Sequence, residues 1–175
     1  MATTTSGSET ATSIFVTGLR NQHSVEAQAI QLLNRQIERI ENYPEMLARM
    51  RQHVTESEEQ QRRLEELLDQ LGESHSSLKD AALGFMGNMA AIAHTVAPDE
   101  IIKNSFANFA FEHFEIASYK ALLILAEATG HGGAQQLLTQ SLREEQNMAQ
   151  WIDDNLKSTT LRFLQRSERG ERAGL

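Results

Sequence analysis

Apolar residues recur along this chain at alternating steps of three and four, the period of one buried helix face. The clearest run is Ile102, Ser105, Phe109, Glu112, Ile116, Tyr119 and Leu123. Three more stretches keep the same period. Leu19, His23, Glu26, Ile30, Leu33, Ile37 and Ile40 lie on a predicted first helix, from about Ile14 to Asn42, with Thr12 or Ser13 as its N-cap. Met50, His53, Ser57, Gln60, Leu64, Leu67 and Leu71 lie on a second, opened by Pro44 and stopped at Gly72. The third helix, which carries the first run, starts at Pro98-Asp99-Glu100 and reaches about Thr129. Gly130-His131-Gly132-Gly133 separates it from a fourth, about Ala134 to Lys157, with the stripe Leu138, Leu142, Glu145, Ala149, Ile152 and Leu156. The pattern predicts an all-α fold, a four-helix bundle made of two antiparallel hairpins. Between the hairpins, Leu78 to about Thr95 is rich in Ala, Gly and Met and predicts a short helix in a long crossover. Residues 1–13, rich in Thr and Ser, read as a disordered tail. Residues 14–157 form the bundle, and 158–175 an extension expected to fray or be disordered.

The polar residues on these stripes change the picture. Glu112 stands where Leu or Ile belongs, and Glu115 lies one turn away on the edge of the same face. Each other helix repeats the anomaly, with Glu26, Glu56 and Glu145. A charged carboxylate in a core costs several kcal/mol or more unless it is paired, protonated or metal-bound. Depth tests whether the group can meet. At ~1.5 Å per residue from a turn near Tyr43, Glu26 lies roughly 26 Å away, Glu56 roughly 20 Å and Gln60 roughly 26 Å. From a turn near His131, Glu115 lies roughly 24 Å away, Glu145 roughly 21 Å and Glu112 roughly 29 Å. All fall within one or two turns of a common level, with Glu112 the outlier.

Carboxylates so gathered repel one another, and divalent cations remove both the repulsion and the desolvation cost. Hard oxygen donors suit iron, manganese, magnesium or calcium. Helical bundles of this kind set a Glu from each of two helices beside a Glu-and-His pair from each of the others. The candidate ligands are Glu26, Glu56, Glu112, Glu115 and Glu145. Glu26 and Glu56 would serve one metal, Glu115 and Glu145 the other, and Glu112 would bridge or support. His23, His53, Glu59 and Gln60 are expected to support the ligands by hydrogen bonding rather than to ligate. His113 points about 100° from Glu112. Glu144 reads as a surface residue, and Trp151 and the methionines as packing.

Composition narrows the function classes. The 175 residues contain no Cys, which excludes disulfides and thiol chemistry. The net charge of −8 argues against a general nucleic-acid binder. No apolar run approaches the roughly 20 residues of a membrane span, and the N-terminus lacks the basic and apolar regions of a secretory signal. A cytoplasmic protein is expected.

Glu112-His113-Phe114-Glu115-Ile116-Ala117-Ser118-Tyr119 resembles the E-H-Y-E-I-A-x-Y signature of the bacterial YciF/YciE-like stress proteins, in the ferritin-like superfamily. Glu26-Ala27-Gln28 with Leu32-Leu33, and His53-Val54-Thr55-Glu56-Ser57-Glu58-Glu59-Gln60 with Arg63-Leu64-Glu65, are similar to that family's segments of helices 1 and 2. Leu142-Arg143-Glu144-Glu145 resembles its helix-4 L-x-E-E, and Ala81 to Phe85 its crossover. The resemblance implies a ferritin-like bundle with an added crossover helix, a dinuclear site for two divalent metals (iron or manganese), and a homodimer. It further implies a stress role in which oxygen or peroxide reacts at the site, as in an oxidoreductase of the ferroxidase or peroxidase kind. The departures point the other way. Helix 4 has Gln146 and Ala149 where the family has Lys and Asp, and helix 2 has Gln60 where many relatives have His. Glu56-x-x-Glu59 and Glu145-x-x-Met148 replace Glu-x-x-His. They favour the alternative, a non-catalytic structural or partner-binding protein with a weakly occupied metal site.

Overall fold

The computed structural model describes residues 4–73 and 98–174. Four long helices run α1 (Thr4–Ile37), α2 (Pro44–Gln70), α3 (Glu100–Ala128) and α4 (Gln135–Glu168), with a 3₁₀ turn at Gly132–Ala134 before α4. They form the two antiparallel hairpins that the apolar period predicts, α1 with α2 and α3 with α4. The crossover helix expected over Leu78 to Thr95 lies outside the described residues.

The stops follow from backbone chemistry. Gly72, Gly130 and Gly170 each take the left-handed conformation, with φ of 72°, 76° and 68°. At each, two amides turn back onto the final helical carbonyls. After α2 these are Gly72 N to Asp69 O at 2.9 Å and Glu73 N to Leu68 O at 3.0 Å. This is the Schellman arrangement, which a Cβ at the glycine would strain. Pro44 occupies the first turn of α2, where its missing N–H costs nothing.

Both ends of the chain depart from expectation. The first helix starts at Thr4, so the tail expected over residues 1–13 is helical from there on. Nothing between Thr4 and Ile14 breaks a helix except Gly7, and extending an existing helix avoids the cost of nucleation. The helix also ends earlier, at Ile37 rather than Asn42. The extension expected to fray over 158–175 instead continues α4 to Glu168 and then docks. Tyr43 Oη donates to the Ala173 carbonyl at 2.5 Å, and Ile101 N–H donates to the Gly174 carbonyl at 2.9 Å. The tail thereby supplies an acceptor to the open N-terminus of α3. It also places the Tyr43 turn and the start of α3 at the same end of the bundle.

Among the described residues, two large apolar clusters and a small third one, Val25 with Ala29 and Phe111, fill the interior. One gathers Phe15, Leu19, Leu64, Leu68, Leu122 and Leu138. The other, toward Tyr43, gathers Leu33, Met50, Ile101, Met148 and Ile152. Between them lies a band of buried polar side chains from all four helices: Gln22, Glu26, His53, Ser57, Gln60, Glu112, Glu115 and Glu145. On α3 the buried face is turned by about one residue from the predicted stripe. Ile101, Asn108, Glu115 and Leu122 are buried, while Ile102, Phe109 and Leu123 are only half-buried. Glu115 therefore sits at the centre of the face rather than on its edge.

Candidate metal centre

His53, Glu112 and Glu145 bring one donor atom each to within 4.8 Å of one another. His53 Nε2 lies 3.1 Å from Glu112 Oε2 and 3.6 Å from Glu145 Oε2. Neither approach has hydrogen-bond geometry, and all three atoms are buried without a partner. Glu26 Oε2 and Glu115 Oε2 are unpartnered in the same way. Five donors from four helices thus turn orphaned atoms into one interior layer. A buried polar atom without a partner costs about 1–3 kcal/mol, more if charged, and the His53, Glu112 and Glu145 group could hold a metal ion that relieves it.

The second atom of His53, Glu26, Glu115 and Glu145 is held. His53 Nδ1 bonds Glu56 Oε2 at 2.9 Å, which fixes the ring and aims Nε2 inward. Tyr119 Oη donates to Glu26 Oε1 at 2.6 Å, and Gln22 Nε2 donates to the same oxygen at 2.9 Å and reaches Glu115 Oε1 at 3.5 Å. Gln60 Nε2 donates to Glu145 Oε1 at 2.5 Å. Gln60 in turn accepts from Tyr119 Oη at 3.3 Å.

Without a cation the layer is held by protons. Burial pushes the Glu26 carboxyl up to about 7, against the hydrogen bonds from Tyr119 and Gln22. Burial also drives Glu115 well above the carboxylate range, helped by the charges of Glu26, Glu145 and Glu112. Glu145 rises by burial and by Glu112, with His53 opposing. For His53, burial favours the neutral ring, but Glu112, Glu56 and Glu145 outweigh it and keep the ring charged well above its ordinary value. Cations that bind must displace these protons.

The sequence-derived residues sort as follows. Glu26, Glu112, Glu115 and Glu145 meet in the layer. Glu56 stands outside it, partly exposed, with Arg49 at 2.9 Å and Gln52 at 2.8 Å. Burial would raise its pKa, but the bonds from His53 and Arg49 lower it overall. Its place in the layer is taken by His53, expected only to support; among the described residues it offers the layer's one nitrogen donor without a partner. Gln60 supports as expected. His23 pairs with Glu65 at 2.9 Å and Glu59 with Arg62; neither faces the layer. Glu144 is not a free surface residue: Arg63 holds it by two bonds of 2.6 and 2.9 Å, tying α2 to α4.

Glu112 was misplaced in depth for a definite reason. The two turns lie at opposite ends of the bundle, so distances counted from each are not on one scale. Counted from the Tyr43 end, His53 and Glu112 lie at roughly 14–17 Å, one level. Two further members were missed. Gln22 precedes Glu26 by four residues, a spacing that puts it on the same face. Tyr119 was read only as a stripe residue, though a buried phenol needs a partner.

A family model described as a domain of unknown function, DUF892, matches residues 10–165. The chain belongs to this family. Among solved structures, a protein of Xanthomonas campestris pv. campestris is 28% identical, over 90% of this chain and 99% of its own, with a TM-score of 0.75. The Escherichia coli stress protein YciF is 24% identical over 83% of this chain and 94% of its own, with a TM-score of 0.69. YcfI of Rhodopseudomonas palustris is 24% identical over 82% and 92%, with a TM-score of 0.62. The resemblance carried by Glu112 to Tyr119 therefore holds, and this DUF892 chain has the fold of the YciF-like, ferritin-like proteins. Among its described residues no helix is long and apolar enough to cross a membrane.

Proposed function

We propose that the protein binds two divalent metal ions, iron or manganese, in its polar layer and serves in stress defence by reaction with oxygen or peroxide. One observation carries the reading: five buried donor atoms without partners, on four helices, three of them within 4.8 Å of one another. His53, Glu112 and Glu145 would hold one metal, and Glu26 and Glu115 the other, with Glu112 and Glu145 between them. A bound metal of this kind activates a small oxidant. The chain does the rest. Glu56 orients His53, Gln60 orients Glu145, and Tyr119 and Gln22 orient Glu26. The two large apolar clusters exclude bulk water. A stress role is supported by likeness to YciF, which is described as a stress protein.

Anaerobic titration with Fe(II) or Mn(II), followed by calorimetry, tests the site. Saturation near two metals per chain is expected, with the first bound more tightly because its site holds the nitrogen donor. A lack of saturable binding would sink the proposal. The alternative, a structural protein with a weakly occupied site, draws on Ala149, which is buried beside Glu145 and offers no donor.

We also infer a cytoplasmic homodimer. Phe106 and Ile124 on α3 are 56% and 67% exposed, apolar side chains of the kind that oligomers bury. Light scattering at micromolar concentration should give about twice the 19.6 kDa chain mass. A monomeric mass overturns the dimer.

A further inference from the structure

A second internal space bears on how the metal layer is reached. Helices α2, α3 and α4 enclose a cavity of ≈ 10 Å³, lined by Met50, Ser105, Asn108, Met148, Trp151 and Asn155 among others. That is room for about one water-sized molecule. Its place relative to the layer follows from spacing. Met50 precedes His53 by three residues, Asn108 precedes Glu112 by four, and Met148 follows Glu145 by three. Each therefore lies about one turn from one donor of the His53, Glu112 and Glu145 group. Because α4 runs opposite to α2 and α3, all three turns lie on the same side, toward Tyr43. The cavity thus lies about one turn from the donors, with Met50 and Met148, each 1% exposed, as its inner wall. Trp151 and Asn155 are half-buried and form its outer side.

The lining is uncharged, and key polar groups in it are already paired. Asn108 exchanges two hydrogen bonds with Gln36, at 3.1 and 2.8 Å, Ser105 Oγ donates to the Ile101 carbonyl at 2.8 Å, and Asn155 Nδ2 donates to the Trp151 carbonyl at 2.8 Å. A cation would surrender its hydration shell there and gain little in return. A small neutral molecule meets no such penalty. The Glu56 side, with a partly exposed carboxylate beside the exposed Gln52, suits cations better.

We propose that this cavity is the inner stage of a passage that delivers a neutral, dioxygen-sized oxidant to the His53, Glu112 and Glu145 group, with flexible Met50 and Met148 as its last wall. The proposal rests on the metal-site reading above. It separates the oxidant's route from the metal's route, and it limits what can react to molecules of that size.

Dioxygen is paramagnetic, so dissolved gas reveals where it enters the protein. In metal-free protein labelled at the methionine methyls, oxygen pressure should speed relaxation of Met50 and Met148 despite their burial. Ser105→Val, which narrows the cavity, should reduce that effect. Asn155→Leu, on the outer side, provides a second variant should the first fold poorly. In protein loaded with Fe(II), both variants should bind iron as the unaltered protein does but oxidise it about tenfold more slowly on mixing with oxygen, a rise of about 1.4 kcal/mol in the barrier. No oxygen effect at Met50 and Met148, or unchanged oxidation in both variants with iron bound, overturns the passage alone. Failure of the unaltered protein to bind iron overturns the metal-site reading and this proposal with it.

Discussion

In chelating buffer, thermal stability falls as the pH is raised from about 5 to about 8, by on the order of 10 °C. The sign follows from the layer's protons. Glu26, Glu115 and Glu145 have folded pKa values above the 4.5 of an ordinary carboxyl, and Glu26 reaches about 7. The folded chain thus binds more protons than the unfolded chain across this window, and stability declines with rising pH. The stabilisation is fully present below the unfolded pKa and is lost as each group ionises in place. His53 acts in the same direction, because its folded pKa is raised above 6.5. Glu56 acts oppositely, but its lowered pKa places its effect below the carboxyl range, outside the window. The rise of Glu26 alone corresponds to on the order of 3 kcal/mol. Added Fe(II) or Mn(II) should reverse the slope, since a cation replaces the displaced protons and binds more tightly as they leave. Differential scanning fluorimetry across the range, with and without metal, reads both arms. A flat profile in chelator would mean that these carboxyls are solvated in solution, contrary to their burial.

Much of this was legible in the chain because helix periodicity and charge conflict so plainly. A Glu at the position of a core Leu is a local signal, and repeating it on four helices makes it a shared one. Pro44, Gly72 and Gly130 marked the hairpin ends because a missing N–H and a positive φ are properties of single residues. The legible part ended where geometry depends on the partner helix. A rotation of about one residue on α3 moved Glu115 to the centre of the face. The swap between His53 and Glu56 depended on Arg49, which draws the carboxylate outward from two turns away. That pair could not be weighed from spacing alone, since both residues lie near the seam. The docked tail was illegible for a similar reason. Its polar, Gly-containing sequence has the composition of a free end, and only Tyr43 and the open N-terminus of α3 give its carbonyls donors.

The layer also predicts where stability and function oppose each other. Among the buried carboxylates of the layer, Glu115 is weakly supported. Its hydrogen bond is the 3.5 Å approach of Gln22, which already donates to Glu26 at 2.9 Å. Replacing Glu145 would cost Gln60 its 2.5 Å bond, and replacing Glu26 would cost the Tyr119 hydroxyl its 2.6 Å bond, each leaving a buried donor with only a longer contact, 3.2 Å to Glu144 and 3.3 Å to Gln60. Replacing Glu115 strands little and removes a carboxyl that burial and three neighbouring charges oppose. Glu115→Leu should therefore raise the stability of the metal-free protein at pH 8 by on the order of 2 kcal/mol, about 4–8 °C in Tm. The same change should leave one metal per chain, held by His53, Glu112 and Glu145, and remove the part of the stabilisation that the second, weaker metal gives. A purely structural layer behaves differently, because there the substitution would alter stability equally with and without metal. Denaturation of both proteins in chelator and in excess Mn(II) forms the cycle that decides. A Glu115→Leu protein that is less stable in chelator would show that the carboxyl is held by bonds strong enough to offset its burial, and would remove the case that a cation is what completes this layer.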